Sequence, residues 1–297
     1  MLLIFLSFLI STAFWLWIIL KYDKFEREPI KTVVFVFLLG GLISTFPAAL
    51  LNDILNTVIF HEWEKRLPID RIFGKYLVFY GFSGFNEEVF KAFATILLIR
   101  RRKNFNEPAD ALVYSMTVAL GFAVYENILY VVNYGYITLF ARQFNAVPLH
   151  LGLAAIWGTG IAKAKFLYQG KYFRTVAPYI LFAALIHTMY NIGTMLTANP
   201  FIKLIILSVI AYFLIRYAIR KMRRYAQEGP FANRLFCNAC GTVNLPDERS
   251  CKKCGQKFEL EFYVLCPDCN VKVNKTSPKC PNCGTEMNTE ITENQQD

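Results

Sequence analysis

Residues 81–99 read GFSGFNEEVFKAFATILLI, and residues 120–132 read LGFAVYENILYVV. Both stretches are apolar enough to lie in a bilayer, yet they hold Glu87, Glu88, Lys91 and Glu126. A charge near the bilayer centre costs at least about 2.5 kcal/mol, so such residues pair with one another and mark functional sites. The two stretches therefore decide the class. The chain reads as a helical membrane protein with polar groups inside it, an enzyme or a transporter rather than a passive anchor.

Working outward, residues 2–20 and 32–51 contain no charge and match the thickness of a hydrocarbon core. Further spans are expected at 76–99, 111–132, 146–167, 176–196 and 200–217, about seven transmembrane helices in all. The first lacks a basic leader and a small-residue cleavage site, so it reads as an uncleaved span. Lys and Arg concentrate after spans one, three, five and seven, in KYDKFEREPIK, RRRK, KAKFLYQGKYFR and RYAIRKMRR. That bias places the N-terminus outside and the C-terminus in the cytoplasm. The loop after span two breaks the trend, because Lys65, Arg66, Arg71 and Lys75 interleave there with Glu62, Glu64 and Asp70. Of the chain's net charge of +10, residues 1–225 hold 24 Lys and Arg against 12 Asp and Glu, an excess beside the membrane that sets topology and meets anionic lipid. The remainder is slightly acidic, which argues against direct nucleic-acid binding.

All eight cysteines follow Phe236. CNAC (Cys237, Cys240) and CKKC (Cys251, Cys254) recur 29 residues later as CPDC (Cys266, Cys269) and CPNC (Cys280, Cys283). This is an internal duplication. Two thiolates separated by two residues grip one metal from a tight turn, and two such turns complete a tetrahedral set. Two structural zinc ions in two ribbons are expected. Disulfides would conflict with a reducing cytoplasm. A ribbon of this size has little apolar core, so the metal supplies much of its folding free energy. Without a basic face, the ribbons suit a cytoplasmic protein partner, which the sequence does not identify.

Within the membrane part, Glu87 and Glu88 stand four and three residues before Lys91, so both carboxylates can reach its ammonium on a helix. One ion pair leaves the other glutamate over, and paired carboxylates beside one cation suit general acid–base work. Gly81 and Gly84 would let another helix approach closely. His150 falls in span five, and His187 with Asn191 one turn later falls in span six. Each alone is more often a helix–helix hydrogen bonder than a ligand. Together, polar groups from four spans can converge.

These motifs resemble the PrsW-type intramembrane proteases, relatives of the CAAX-protease and bacteriocin-processing group. The resemblance runs from about residue 82 to 193. It is carried by the EExxK pattern at Glu87, Glu88 and Lys91, and by a glycine- and aromatic-led FxxxEN at Phe122, Glu126 and Asn127. Pro148-x-His150 and the HxxxN of His187 and Asn191 complete it. The resemblance implies hydrolysis of a peptide bond in a membrane protein substrate, in a bacterial plasma membrane. Two mechanisms fit. In one, Glu126, His150 and His187 hold a catalytic zinc while Glu87 or Glu88 takes a proton from water, and Asn191 orients a ligand or the oxyanion. In the other a glutamate activates water without metal, and His and Asn side chains donate to the oxyanion. The metal form is preferred, although an Asn at 191 offers no anionic ligand.

Two other classes compete. A proton-coupled carrier would use Glu and His in an ion pathway but predicts an internal repeat among the spans, which is not seen. A non-enzymatic receptor acting through its ribbons predicts that Glu88→Gln leaves function intact while Cys254→Ser abolishes it. The expectation is an all-α polytopic membrane protein with a C-terminal double zinc ribbon. Residues 1–225 form the membrane domain, 226–235 a linker, 236–288 the ribbons and 289–297 a disordered tail.

Overall fold

The computed structural model describes residues 2–23, 26–58, 72–168, 170–195, 199–229, 232, 234–245, 248–268 and 271–287. Lys65, Arg66 and Arg71 of the loop after span two, Cys269 and the expected disordered tail lie outside the described residues, while Lys75 falls in the first turn of a helix. Two compact units divide at Tyr225 and Ala226.

The membrane unit is all-α: α1 (Leu2–Lys21), α2 (Ile30–Asn56), α3 (Ile72–Ile99), α4 (Pro108–Tyr134), α5 (Ile137–Phe144), α6 (Ala146–Phe166), α7 (Tyr172–Gly193) and α8 (Pro200–Glu228). Among the described residues, α2, α4, the α5–α6 stretch, α7 and α8 are long and apolar enough to cross a membrane. The described apolar part of α1 is shorter, Leu6–Lys21. The 28-residue α3 is long enough, but Glu87, Glu88 and Lys91 interrupt its apolar run. α8 continues to Glu228, past the expected end at 217, because RYAIRKMRR favours helix and carries its charges out of the apolar zone. The eight-residue α5 is not expected from the sequence.

α6 forms the centre. Its Leu, Ala and Gly residues are apolar on every side, as a helix enclosed by others requires, and Leu151, Leu153, Trp157 and Ile161 are fully buried. Glycines set how closely its neighbours approach. A Cβ on Gly121 of α4 would stand 2.2 Å from the Phe37 carbonyl oxygen and 3.0 Å from the Gly41 Cα, so α2 and α4 meet backbone to backbone. On α3, Gly84 faces α7, where a Cβ would stand 3.1 Å from the Thr188 amide nitrogen. Gly81 makes only a 4.0 Å approach to Thr188. α4 begins cleanly: Pro108 occupies its first turn, and Asp110 Oδ2 accepts from the Asn106 and Glu107 amides at 2.8 Å each. Outward faces are apolar, with Phe173, Phe182, Leu185, Ile205 and Phe213 exposed as a lipid-facing surface requires.

The cysteine-rich unit contains a four-stranded sheet in the order β2 (Val243–Asn244), β1 (Leu235–Phe236), β4 (Lys272–Asn274), β3 (Tyr263–Leu265). Each sequence copy supplies one antiparallel hairpin, and β1 joins β4 in parallel across the copies. The copies also exchange aromatic contacts. Phe236 of the first packs against Val271, Val273 and Cys280 of the second, and Tyr263 of the second packs against Phe258 and Cys251 of the first. The duplicated halves are thus one folding unit rather than two beads.

Candidate active site

Glu88 and Lys91 form the floor of a polar site. Both are fully buried, with Glu88 Oε1 2.5 Å from Lys91 Nζ. The same oxygen is 2.9 Å from His187 Nδ1, and Oε2 accepts from Trp157 Nε1 at 2.9 Å. Lys91 Nζ lies 3.0 Å from His150 Nδ1 and 4.5 Å from the Phe122 ring centroid. The charges of this floor are therefore matched by groups from α3, α6 and α7. Helical geometry separates the adjacent glutamates by about 100° around α3. Glu88 accordingly points into this floor while Glu87 points elsewhere.

Above the floor lies a cavity of about 610 Å³. It is lined from the C-terminal parts of α2, α4 and α7, the first half and middle of α3, the first half of α6, α5, and Lys203 and Leu207 of α8. Glu87, Glu126, His150, His187 and Asn191 all line it. Of the sequence-derived catalytic candidates, Glu88 and Lys91 alone do not. Glu87 Oε1 accepts from Ser83 Oγ at 3.1 Å and Asn52 Nδ2 at 3.3 Å. Its Oε2 is buried, has no hydrogen-bond partner among the described residues, and stands 3.7 Å from His187 Nε2. Asn52 is itself held by Asn86, whose Nδ2 donates to Asn52 Oδ1 at 3.0 Å.

Both imidazoles turn the same way. Each presents Nδ1 to the floor, His187 to Glu88 and His150 to Lys91. Each presents Nε2 to a cavity carboxylate, His187 to Glu87 and His150 to Glu126 Oε2 at 3.1 Å. The rings are 5.3 Å apart and nearly perpendicular. Glu87, His150 and His187 each offer a ligand atom within 4.8 Å of the other two. Two imidazole nitrogens and a carboxylate with an unshared buried oxygen fit a divalent metal such as zinc. Glu126, the third ligand expected from the sequence, is paired with Arg142 at 2.5 Å and keeps a contact with His150.

In the cysteine-rich unit, Cys237, Cys240, Cys251 and Cys254 gather within 4.8 Å, as do Cys266, Cys280 and Cys283. Sulfur pairs stand at 3.5–3.6 Å, Cys237 with Cys254, Cys240 with Cys251 and Cys266 with Cys283. That is far beyond a disulfide of about 2.05 Å. It is close to the roughly 3.8 Å edge of a tetrahedron with zinc–sulfur bonds of about 2.3 Å. Gly241, Gly255 and Gly284 have φ of 73°, 76° and 80°, and each amide returns to the carbonyl of the first cysteine of its turn. Only glycine adopts that conformation freely, which is why it follows these knuckles. Burial pushes the Cys251 thiol up, but the Cys254 and Lys253 amides outweigh it and bring it down to about 6, whereas at Cys254 the Gln256 amide is outweighed by the neighbouring Cys240 and Cys237 thiols and burial, which push it up to about 12.

Asn52, Ser83, Trp157 and Arg142 are not among the sequence-derived candidates. In the sequence Arg142 reads only as a loop charge. Trp157 gives no signal, since an indole in an apolar span reads as packing.

A model of the PrsW family intramembrane metalloproteases matches residues 28–218 of the chain. Among curated proteins, Protease PrsW of Bacillus subtilis (strain 168) is 29% identical over 57% of this chain and 72% of its own length. Protease PrsW of Geobacillus kaustophilus (strain HTA426) is 31% identical over 57% and 69%. That of Clostridioides difficile (strain 630) is 26% identical over 68% and 83%. No solved structure matches the chain. The family match ends before the first cysteine, at 237.

Proposed function

The chain belongs to the PrsW family of intramembrane metalloproteases, and from that premise we propose that it hydrolyses a peptide bond of a membrane-associated protein inside the α2–α7 cavity. The observation that carries this reading is the buried, unshared Oε2 of Glu87, which faces His187 Nε2 at 3.7 Å in a cavity large enough for a peptide segment.

Glu87, His150 and His187 would hold the metal. When bound, it supplies Lewis acidity and makes water a competent nucleophile at neutral pH. Glu126 would take the proton of the attacking water, since Arg142 holds its Oε2 and leaves Oε1 for the cavity, while His150 Nε2, 3.1 Å from Oε2, would turn to the metal. Asn191 would donate to the developing oxyanion. Glu88 and Lys91 would act one layer below, fixing the two rings through Nδ1. With the N-terminus outside, as the basic loops indicate, the cavity opens in the outer half of the membrane.

One observation favours a second reading. An ammonium at 3.0 Å donates to His150 Nδ1, so the ring hydrogen sits on Nε2 and points at Glu126. In that tautomer Nε2 is no ligand. Glu87 would then activate water directly, with His187 and Asn191 stabilising the oxyanion.

Both readings are tested by reconstituting the full-length protein in liposomes with membrane-spanning peptides. Cleavage that Glu87→Gln lowers by about 100-fold or more is expected. No cleavage by protein shown to be folded would overturn both. Retained cleavage in Glu87→Gln would remove Glu87 from the chemistry.

A further inference from the structure

Two cations outside the family motifs line the cavity, Lys203 of α8 and Arg142, and Arg142 is the one paired with a motif carboxylate. It belongs to α5, whose Ile137, Phe140 and Phe144 are exposed while Thr138, Ala141 and Arg142 line the cavity. That helix is amphipathic by position: residues 137, 140 and 144 share one face, and 138, 141, 142 and 145 share the other. Its outward face is apolar, and its one inward charge reaches α4.

Three contacts fix the guanidinium. Nη2 lies 2.5 Å from Glu126 Oε2, Nε donates to Asn127 Oδ1, and the guanidinium carbon stands 3.8 Å from the Tyr130 ring centroid. All three partners come from α4, within five residues of one another. Carboxylate, amide and ring restrain the planar group in different directions, which a lysine ammonium cannot reproduce. The oxygen that accepts from Arg142 is also the one 3.1 Å from His150 Nε2. Arg142 and Glu126 side chains are only 15% and 18% exposed, so water screens this pair little.

Resting on the metal form of the peptidase reading, we infer that Arg142 is a positioning residue: by holding Glu126 Oε2 from α5 it aims Oε1 at the reacting water. Loss of Arg142 would free the Glu126 carboxylate to rotate and would remove the cation paired with it. The effect falls on turnover rather than on substrate affinity.

The test uses full-length Arg142→Gln, Arg142→Lys, Glu126→Gln and the double Arg142→Gln/Glu126→Gln variant in liposomes. Expected is a tenfold or greater fall in kcat for Arg142→Gln with KM within about threefold. Arg142→Lys recovers part of the loss, and the double variant is no slower than Glu126→Gln, because both changes remove one function. A rise in KM with kcat intact would make Arg142 a substrate-binding residue and overturn the inference. So would multiplicative losses in the double variant, or wild-type kinetics in Arg142→Gln. A second readout is independent of turnover. The His150 imidazole 15N signals, assigned by their loss in His150→Gln, must shift in Arg142→Gln as they do in Glu126→Gln. Unchanged His150 signals would overturn the inference. If wild-type protein cleaves nothing, the peptidase reading fails on its own, and the His150 signals still decide whether Arg142 positions Glu126.

Discussion

The two units of this chain gather metal-type donors by opposite routes. In the cysteine-rich unit, four thiols of one site lie within 18 residues, and glycine-terminated turns bring them together locally. Its apolar core is small, limited to groups such as Leu235 with Phe258 and Val271 with Val273. In the membrane unit, Glu87, His150 and His187 are separated by up to 100 residues and meet only because α3, α6 and α7 pack around a large apolar core. The difference teaches what holds each site. With so small a core, the cysteine-rich unit is expected to need a metal for its shape, whereas the bundle holds its donors through packing and the Glu88–Lys91 floor.

The sharpest way to break that contrast is metal removal. A strong chelator should unfold the cysteine-rich unit, since structural zinc supplies about 10–16 kcal/mol of folding free energy in small modules. The helical circular-dichroism signal of the bundle should persist. A tail that keeps its dispersed NMR signals for residues 235–287 without metal would collapse the distinction.

Next in size is the floor. Lys91→Met leaves Glu88 buried without its ammonium, and a loss of about 3–5 kcal/mol is expected in denaturation followed by helical signal. Glu87→Gln should cost less than about 1 kcal/mol, because Ser83 and Asn52 remain as partners and no ion pair of the floor is cut. Equal losses would mean that floor and wall are not distinct layers. Smaller again is Gly121→Ala, which pushes a methyl into the Phe37 carbonyl and should cost about 1–3 kcal/mol by parting α2 from α4. Smallest is Tyr263→Ala. It removes an edge-to-face pair with Phe258 at 5.9 Å, worth about 0.5–1.5 kcal/mol. It should speed zinc release from the first cysteine set, read with a colorimetric chelator. An unchanged release rate would mean that the shared aromatics do not couple the copies.

The same contrast explains what is legible in the sequence. Cysteine spacing carries its own geometry, so the turns and their glycines can be read directly, although the β1–β4 pairing between copies cannot. In the bundle, Glu87, Glu88 and Lys91 announce themselves by cost, and His150, His187 and Asn191 by rarity in apolar spans. Which glutamate faces the cavity depends on how α3 is rotated against α7, a matter of Gly84 and Thr188 packing that no single-helix pattern contains. Arg142 escapes because a charge between spans reads as topology. Its role depends on α5 folding back over α4, which exists only in three dimensions.

The most direct test of the central claim, a metal centre inside the bundle in addition to the ribbons, is the zinc content of full-length protein and of His187→Ala. About three zinc ions per chain are expected in the wild type and about two in His187→Ala, with the ribbon signals unchanged. Two zinc ions in both, from preparations that cleave peptide, would contradict a metal at Glu87, His150 and His187 and leave the glutamate–water mechanism in its place.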